Sequence, residues 1–193
     1  MYQAKNFEHL LGTPGFSDTL LKNHFALYDG YVKNCNLIHD RFGELKATDK
    51  IGSLDWAELK RRSAWEYNGM RLHELYFGNM KNGGVALSEG ANLHAQLMEK
   101  YGTIAAWEKD FRATGAMRGI GWAVLMYDKE AKCFRNSWVN EHDVGFCVGM
   151  TNLLIMDVFE HAYITDYGIK RADYIEAFMK AIDWSVVEQR FAS

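Results

Sequence analysis

The chain has 193 residues, 48% hydrophobic and 14% aromatic, enough to bury a substantial core and too apolar for a disordered segment. A formal net charge of −3 and a pI near 6.2 give no electrostatic case for nucleic acid. No apolar run approaches the roughly 18 residues of a membrane-spanning helix, so no membrane partner is expected.

The opening "MYQAKNFEHL" is charged and lacks the apolar stretch of a secretion signal. Cys35, Cys133 and Cys147 have no CxxC spacing and imply no disulfide framework. Cytoplasm is the expected compartment. Pro14 and Gly15 in "GTPGF" mark a turn, and residues 17–38 read as a helix, with Ser17 or Asp18 as N-cap and apolar positions recurring at three and four. Residues 54–80 give a second, longer helical pattern that ends near "KNGG". Two long helices joined by a polar stretch form a hairpin. From about residue 90 the texture changes. "GANLHAQLMEKYG" and "TIAAWEKDFRATG" read as short helices, and "GWAVLMYDKEAKCFRNSWV" as two strands around a charged turn. "MTNLLIM" reads as a third strand and "RADYIEAFMKAIDW" as a closing helix. The expected fold is α+β: an N-terminal helical hairpin domain over residues 1–88, then a C-terminal domain over residues 89–193 with a three-stranded antiparallel sheet and helices.

Seven histidines are distributed along the chain, and their contexts separate them. His9, His39 and His94 have polar or charged neighbours, the setting of a solvated side chain. His24 lies on the apolar face of the first helix. His73 shares a face with Met70, Tyr76, Phe77 and Met80, and His161 follows the third strand in "DVFEHAY". Asp157, four residues before His161, leaves that same strand, where a desolvated charge is costly unless it is paired or holds a metal. Three imidazoles and a carboxylate suit a first-row transition metal rather than calcium or magnesium. Zinc accepts the same set, so ligand type alone leaves redox and hydrolytic chemistry open.

"DVFEHAYITDYGIKRADYIEAFMKAIDW" resembles the C-terminal signature of the iron/manganese superoxide dismutases, D-x-W-E-H-A-Y followed by a tyrosine, an arginine and a terminal N-W. "RLHELYFGNM", "GIGWAVLMYD" and "HFALYDGYVKNCNLI" are similar to that family's second-helix, strand and first-helix segments. The resemblance spans roughly residues 17 to 190. It implies one iron or manganese ion per subunit, held between the two domains by His24, His73, Asp157 and His161 and cycled between +2 and +3 by superoxide. It further implies that Tyr31 is the gateway of the substrate channel, that Trp122 walls the site, and that Arg171 supports a positive field at the funnel. Glu160 would reach across a two-fold interface to the ligand histidine of another subunit, with Tyr163 as its neighbour. The expected assembly is a homodimer or homotetramer.

The departures from the family pattern are specific. Gly69 stands four residues before the second ligand, where many iron enzymes carry glutamine, and in "VNEHDVG" the aligned outer-sphere position is His142. His142 is thereby expected to hydrogen-bond the solvent held by the metal, which leaves the choice between iron and manganese permissive. His24 and Tyr31 are seven residues apart, against eight in the family. On a regular helix seven residues return within about 20° of the same face, whereas eight land roughly 80° away and need an irregularity. Leu27, or Tyr28 if the gap lies later, stands in place of the family's channel histidine. Val124 and Phe159 replace two of its tryptophans.

Overall fold

In the computed structural model, which describes residues 1–193, helix α1 (Asp18–Ala47) starts where Ser17 accepts a hydrogen bond from Leu20 N at 3.0 Å. This satisfies one of the free N–H groups of the first turn. Ser53 caps α2 (Leu54–Gly78) in the same way through Trp56 N. The two helices form the expected hairpin. α1 continues well past residue 38 because the polar run His39–Arg41 is only its outer face. Further along, Phe42 packs on Trp56 of α2 with ring centroids 4.9 Å apart, and Leu45 is buried.

Helices α3 (Asn92–Tyr101) and α4 (Ile104–Gly115) follow, the second capped by Thr103. The strands β1 (Gly121–Asp128), β2 (Cys133–Asn140) and β3 (Thr151–Asp157) form an antiparallel sheet in the order β2-β1-β3. β1, the central strand, is buried over its first seven residues, which explains its near-continuous apolar sequence. Its register sets Trp122 opposite Asp157 on β3 and opposite Val139 on β2.

After β3 come a 3₁₀ turn over Glu160–Ala162 and the short helix α5 (Ile164–Tyr167). The expected closing helix is α6 (Arg171–Ala181), ending three residues early, and a further helix that was not expected, α7 (Trp184–Ala192), follows it. Between them the backbone turns extended, because Val85 N donates to Ile182 O at 2.8 Å and Asp183 N to Asn79 O at 2.9 Å. These long-range bonds replace the helical ones that the local pattern favours. His94, expected in solvent, is half-buried on α3, while His9 and His39 are exposed.

Apart from Leu45, the buried apolar side chains form one continuous cluster, to which both helices of the hairpin, the sheet and α6 contribute. A polar bolt crosses it at Asn79, which is fully buried just after α2. Asn79 Nδ2 donates to Tyr76 O and Ile155 O, and its Oδ1 accepts from Ile155 N at 2.9 Å and from Arg190 Nη1 at 3.1 Å. The end of α2 is thereby locked to the middle of β3. Replacing Asn79 by Ala strands buried donors and acceptors on both elements, so a loss of about 2–4 kcal/mol is expected. Urea denaturation measures it, and an unchanged midpoint would show that the bolt contributes nothing.

Candidate metal centre

Helix α1 is α-helical without interruption from His24 through Tyr31, so the seven-residue spacing brings both side chains to one face. α2 presents His73, β3 ends on Asp157, and the 3₁₀ turn that follows carries His161. The Nε2 atoms of His24, His73 and His161 lie 3.2, 3.6 and 3.0 Å from Oδ2 of Asp157. One potential ligand atom from each of the four residues lies within 4.8 Å of the others. His24, His73 and Asp157 are buried, and only His161 keeps part of its side chain, 28%, in solvent.

The surroundings fix each group's orientation. Phe159 N donates to Asp157 Oδ1 at 2.9 Å, and the Tyr174 hydroxyl donates to the Asp157 carbonyl at 2.6 Å. His73 Nδ1–H donates to Gly69 O at 2.6 Å, which turns the Nε2 lone pair into the cluster. That Nε2 is one of two buried side-chain polar atoms without a partner. The other, Glu66 Oε2, belongs to a carboxylate already held by Arg62 at 2.8 Å through Oε1.

Burial pushes the His24 and His73 imidazoles below their ordinary range, and Asp157 offsets this only in part. Burial alone would raise the Asp157 carboxyl. His161 beside it, with hydrogen bonds from His161 and His24, outweighs that and holds it well below the usual carboxylate range. Without a metal, His24 and His161 keep a proton on Nε2 against Asp157 Oδ2; with that proton on Nδ1 instead, three imidazole lone pairs would converge beside the carboxylate, a nitrogen-rich donor set that fits iron or manganese.

A layer of aromatic groups surrounds the cluster. Trp122, fully buried, donates from Nε1 to His142 Nδ1 at 3.1 Å, and His142 Nε2 lies 2.8 Å from the Tyr31 hydroxyl. An indole N–H can only donate, so Nδ1 of His142 is the acceptor and its neutral ring carries the proton on Nε2. Burial draws the His142 pKa down to about 4, so the ring is neutral near pH 7. Its one proton is therefore directed at Tyr31, whose own hydroxyl hydrogen stays free for another acceptor. Phe159 lies nearly parallel to both His142 and His161, with centroids 5.0 and 5.1 Å away. Val124 is buried in β1. Tyr31 lies against Gly69 so closely that a Cβ there would sit 2.6 Å from its ring, which leaves no room for a glutamine side chain.

The remaining expected site residues lie at the edge. Arg171 donates to Met117 O, Gly119 O and the Tyr163 hydroxyl, tying the loop before β1 to the turn after β3. Glu160 is exposed, so within one chain it carries none of the desolvation cost that its position after a buried strand suggests. Leu27 faces outward and is partly exposed, whereas Tyr28 is fully buried. The Tyr28 hydroxyl donates to Glu74 Oε1 at 3.1 Å, away from the cluster.

Sequence reasoning missed Trp65, whose ring lies 4.5 Å from His142 and 5.7 Å from Tyr31. Its Nε1–H donates to Glu141, and the Arg62 guanidinium covers it at 3.9 Å. A signal was present: Trp65, Gly69 and His73 follow at four-residue steps along one face of α2.

Residues 89–190 match the model of the C-terminal domain of iron/manganese superoxide dismutases. Over 179 residues the chain is 34% identical to a manganese superoxide dismutase of Haloferax volcanii, covering 92% of this chain and 88% of that protein. The chain belongs to the iron/manganese superoxide dismutase family. Relatives named for iron are equally similar. Those of Aquifex pyrophilus and Cupriavidus metallidurans are each 35% identical, over 92% and 93% of this chain and 84% and 90% of theirs. The family's helices-then-sheet arrangement is the one seen here, as the sequence implied.

The close approach of Tyr31 to Gly69 makes a sharp sign test. Gly→Ala inside a helix ordinarily stabilises by about 1 kcal/mol. At Gly69 the added methyl must displace the phenol, a cost of about 1–3 kcal/mol. Gly69→Ala is therefore expected to lower the melting temperature and break the Tyr31–His142 hydrogen bond. A raised melting temperature with that bond intact in a crystal structure contradicts the packing described.

Proposed function

We propose that this chain dismutates superoxide, converting two superoxide anions and two protons into dioxygen and hydrogen peroxide, with His24, His73, Asp157 and His161 as the ligands of its metal. The observation that carries the reading is the buried, unpartnered Nε2 of His73, turned toward Asp157 Oδ2 alongside two further imidazole nitrogens. When bound, an iron or manganese ion supplies the one-electron chemistry, taking an electron from one superoxide and giving it to the next. Both metals appear in the names of the relatives, and the donor set accepts either.

The protein's own groups perform the rest. His73 is held by Gly69 O and Asp157 by Phe159 N, so the donor set is oriented in advance. Trp122 and Phe159 keep water from the inner side. Tyr31 stands as the gateway, with its hydroxyl hydrogen free to be donated to solvent or substrate, since His142 donates to its oxygen. With its one ring proton on the Tyr31 oxygen, His142 would influence solvent held by a bound metal through that hydroxyl. Gly69 adds no side-chain donor, and the imidazole's indirect role leaves the metal choice permissive. Arg171, bonded to the Tyr163 hydroxyl, places its guanidinium beside the turn that carries His161.

The assembly is a two-fold dimer in which Glu160 of each chain accepts from His161 of the other. Three features support it. Glu160 is exposed, His161 Nδ1 has no acceptor within its own chain, and the exposed apolar side chains Met117, Ile120, Ile164 and Ile169 line one surface depression with Glu160. No helix is long and apolar enough to cross a membrane. The three free cysteines agree with a cytoplasmic protein.

His73→Gln is expected to leave the fold intact by circular dichroism while reducing iron and manganese content and dismutase activity by at least about 100-fold. A variant that retains its metal would remove His73 from the ligand set. Glu160→Ala is expected to shift sedimentation toward monomer at micromolar concentration and to speed metal loss to a chelator by about tenfold. A stable dimer with unchanged chelation kinetics would place the interface elsewhere.

A further inference from the structure

A cleft of about 730 Å³ opens between the N-terminal arm, α2, the start of β3 and α7, and it contains none of the four candidate ligands. Arg190 of α7 lines it. Nη1 of Arg190 donates to Asn79 Oδ1 and to Leu153 O at 2.8 Å, and Nη2 donates to Leu75 O at 2.9 Å. These acceptors are all neutral. Burial without any compensating charge draws the guanidinium pKa down to about 10, so it remains a cation at neutral pH.

Three of its five N–H bonds are used, which leaves Nε–H and one Nη2–H uncommitted. Nε has no hydrogen-bond partner and is not among the sealed polar atoms of the protein, and Arg190 is part of the cleft's lining. At the rim, Lys5 Nζ and Arg71 Nη1 share Glu74 Oε2 at 3.0 and 2.6 Å. Three cations therefore line a cleft with one carboxylate. The Asn152 amide and the Phe146 ring are also in its lining.

We propose that this cleft is a binding site for a phosphoryl dianion, either inorganic phosphate or the phosphate of a small ring-bearing metabolite such as a nucleotide. A dianion neutralises the excess of positive charge that a single carboxylate would only halve. The free guanidinium edge of Arg190 meets phosphate oxygens with the planar geometry they favour, and Lys5 and Arg71 contribute charge from the rim. The cleft is large enough for a nucleoside attached to that phosphate, with Phe146 as a face for its ring.

The test is calorimetric titration of the metal-loaded protein with inorganic phosphate and, separately, with ADP. Saturable binding in the micromolar to low-millimolar range is expected, weakened about tenfold or more by Arg190→Lys, which keeps the charge but loses the fork. Should Arg190→Lys fail to fold, the double variant Lys5→Gln/Arg71→Gln decides, since it leaves the carbonyl contacts of Arg190 intact and is expected to weaken binding to a similar extent. Tighter binding of ADP than of phosphate identifies a ring-bearing ligand, and equal binding identifies phosphate itself. Absence of saturable binding by either anion overturns the proposal. So does binding that the folded variants leave unchanged, because the anion then sits elsewhere, for instance at the metal.

Discussion

The arrangement depends on one buried carboxylate. Asp157 is fully sealed from water, yet His161 and hydrogen bonds from two imidazoles hold it ionised. A lone charge at that depth costs several kcal/mol, so the fold converges on it from every side. The 3₁₀ turn doubles back to return Phe159 N and His161 to it, and α6 sends Tyr174 to its carbonyl. The helical hairpin contributes His24 and His73. Tyr76 of α2, within 3.1 Å of the Tyr174 hydroxyl, ties that support back to the hairpin. Helices and sheet thus meet around a charge that neither part could bury alone.

The four converging residues were legible in the sequence because each lay on an apolar face or at the exit of an apolar strand, and because D-x-x-E-H-A-Y is a compact local pattern. The three strands and the hairpin were legible for a similar reason: periodicity and turn residues act over short stretches. What escaped depends on distant partners. The extended break at Ile182 arises from backbone bonds to residues about a hundred positions earlier, against a local pattern that favours helix. The length of α1 is set by Phe42 meeting Trp56 across the hairpin. Burial of β3 says nothing about Glu160 three places on, since the turn carries it outward at once.

The direction of the His142 proton was beyond sequence reasoning for a chemical reason. A histidine in a loop offers two tautomers, and only the placement of a donor-only indole against one nitrogen selects between them. Trp122, set opposite Asp157 by strand register, makes that selection. The same register that aligns the sheet therefore decides which way a proton points on a ring 20 residues away in sequence. Trp65 completes the enclosure from α2, and its distance in sequence from His142 kept that contact hidden.

The uninterrupted course of α1 between His24 and Tyr31 has an evolutionary consequence. One added or deleted residue between them would rotate the phenol by about 100° and slide it by about 1.5 Å relative to the imidazole. The phenol would then leave its seat on Gly69 and its contact with His142. The interval is a ruler whose length cannot drift one residue at a time. Descendants of this chain should absorb insertions and deletions at the polar tip between the hairpin's helices, residues 48–53, where the backbone is already a turn. A change inside the interval would survive only with a compensating bulge that restores the face in the same event.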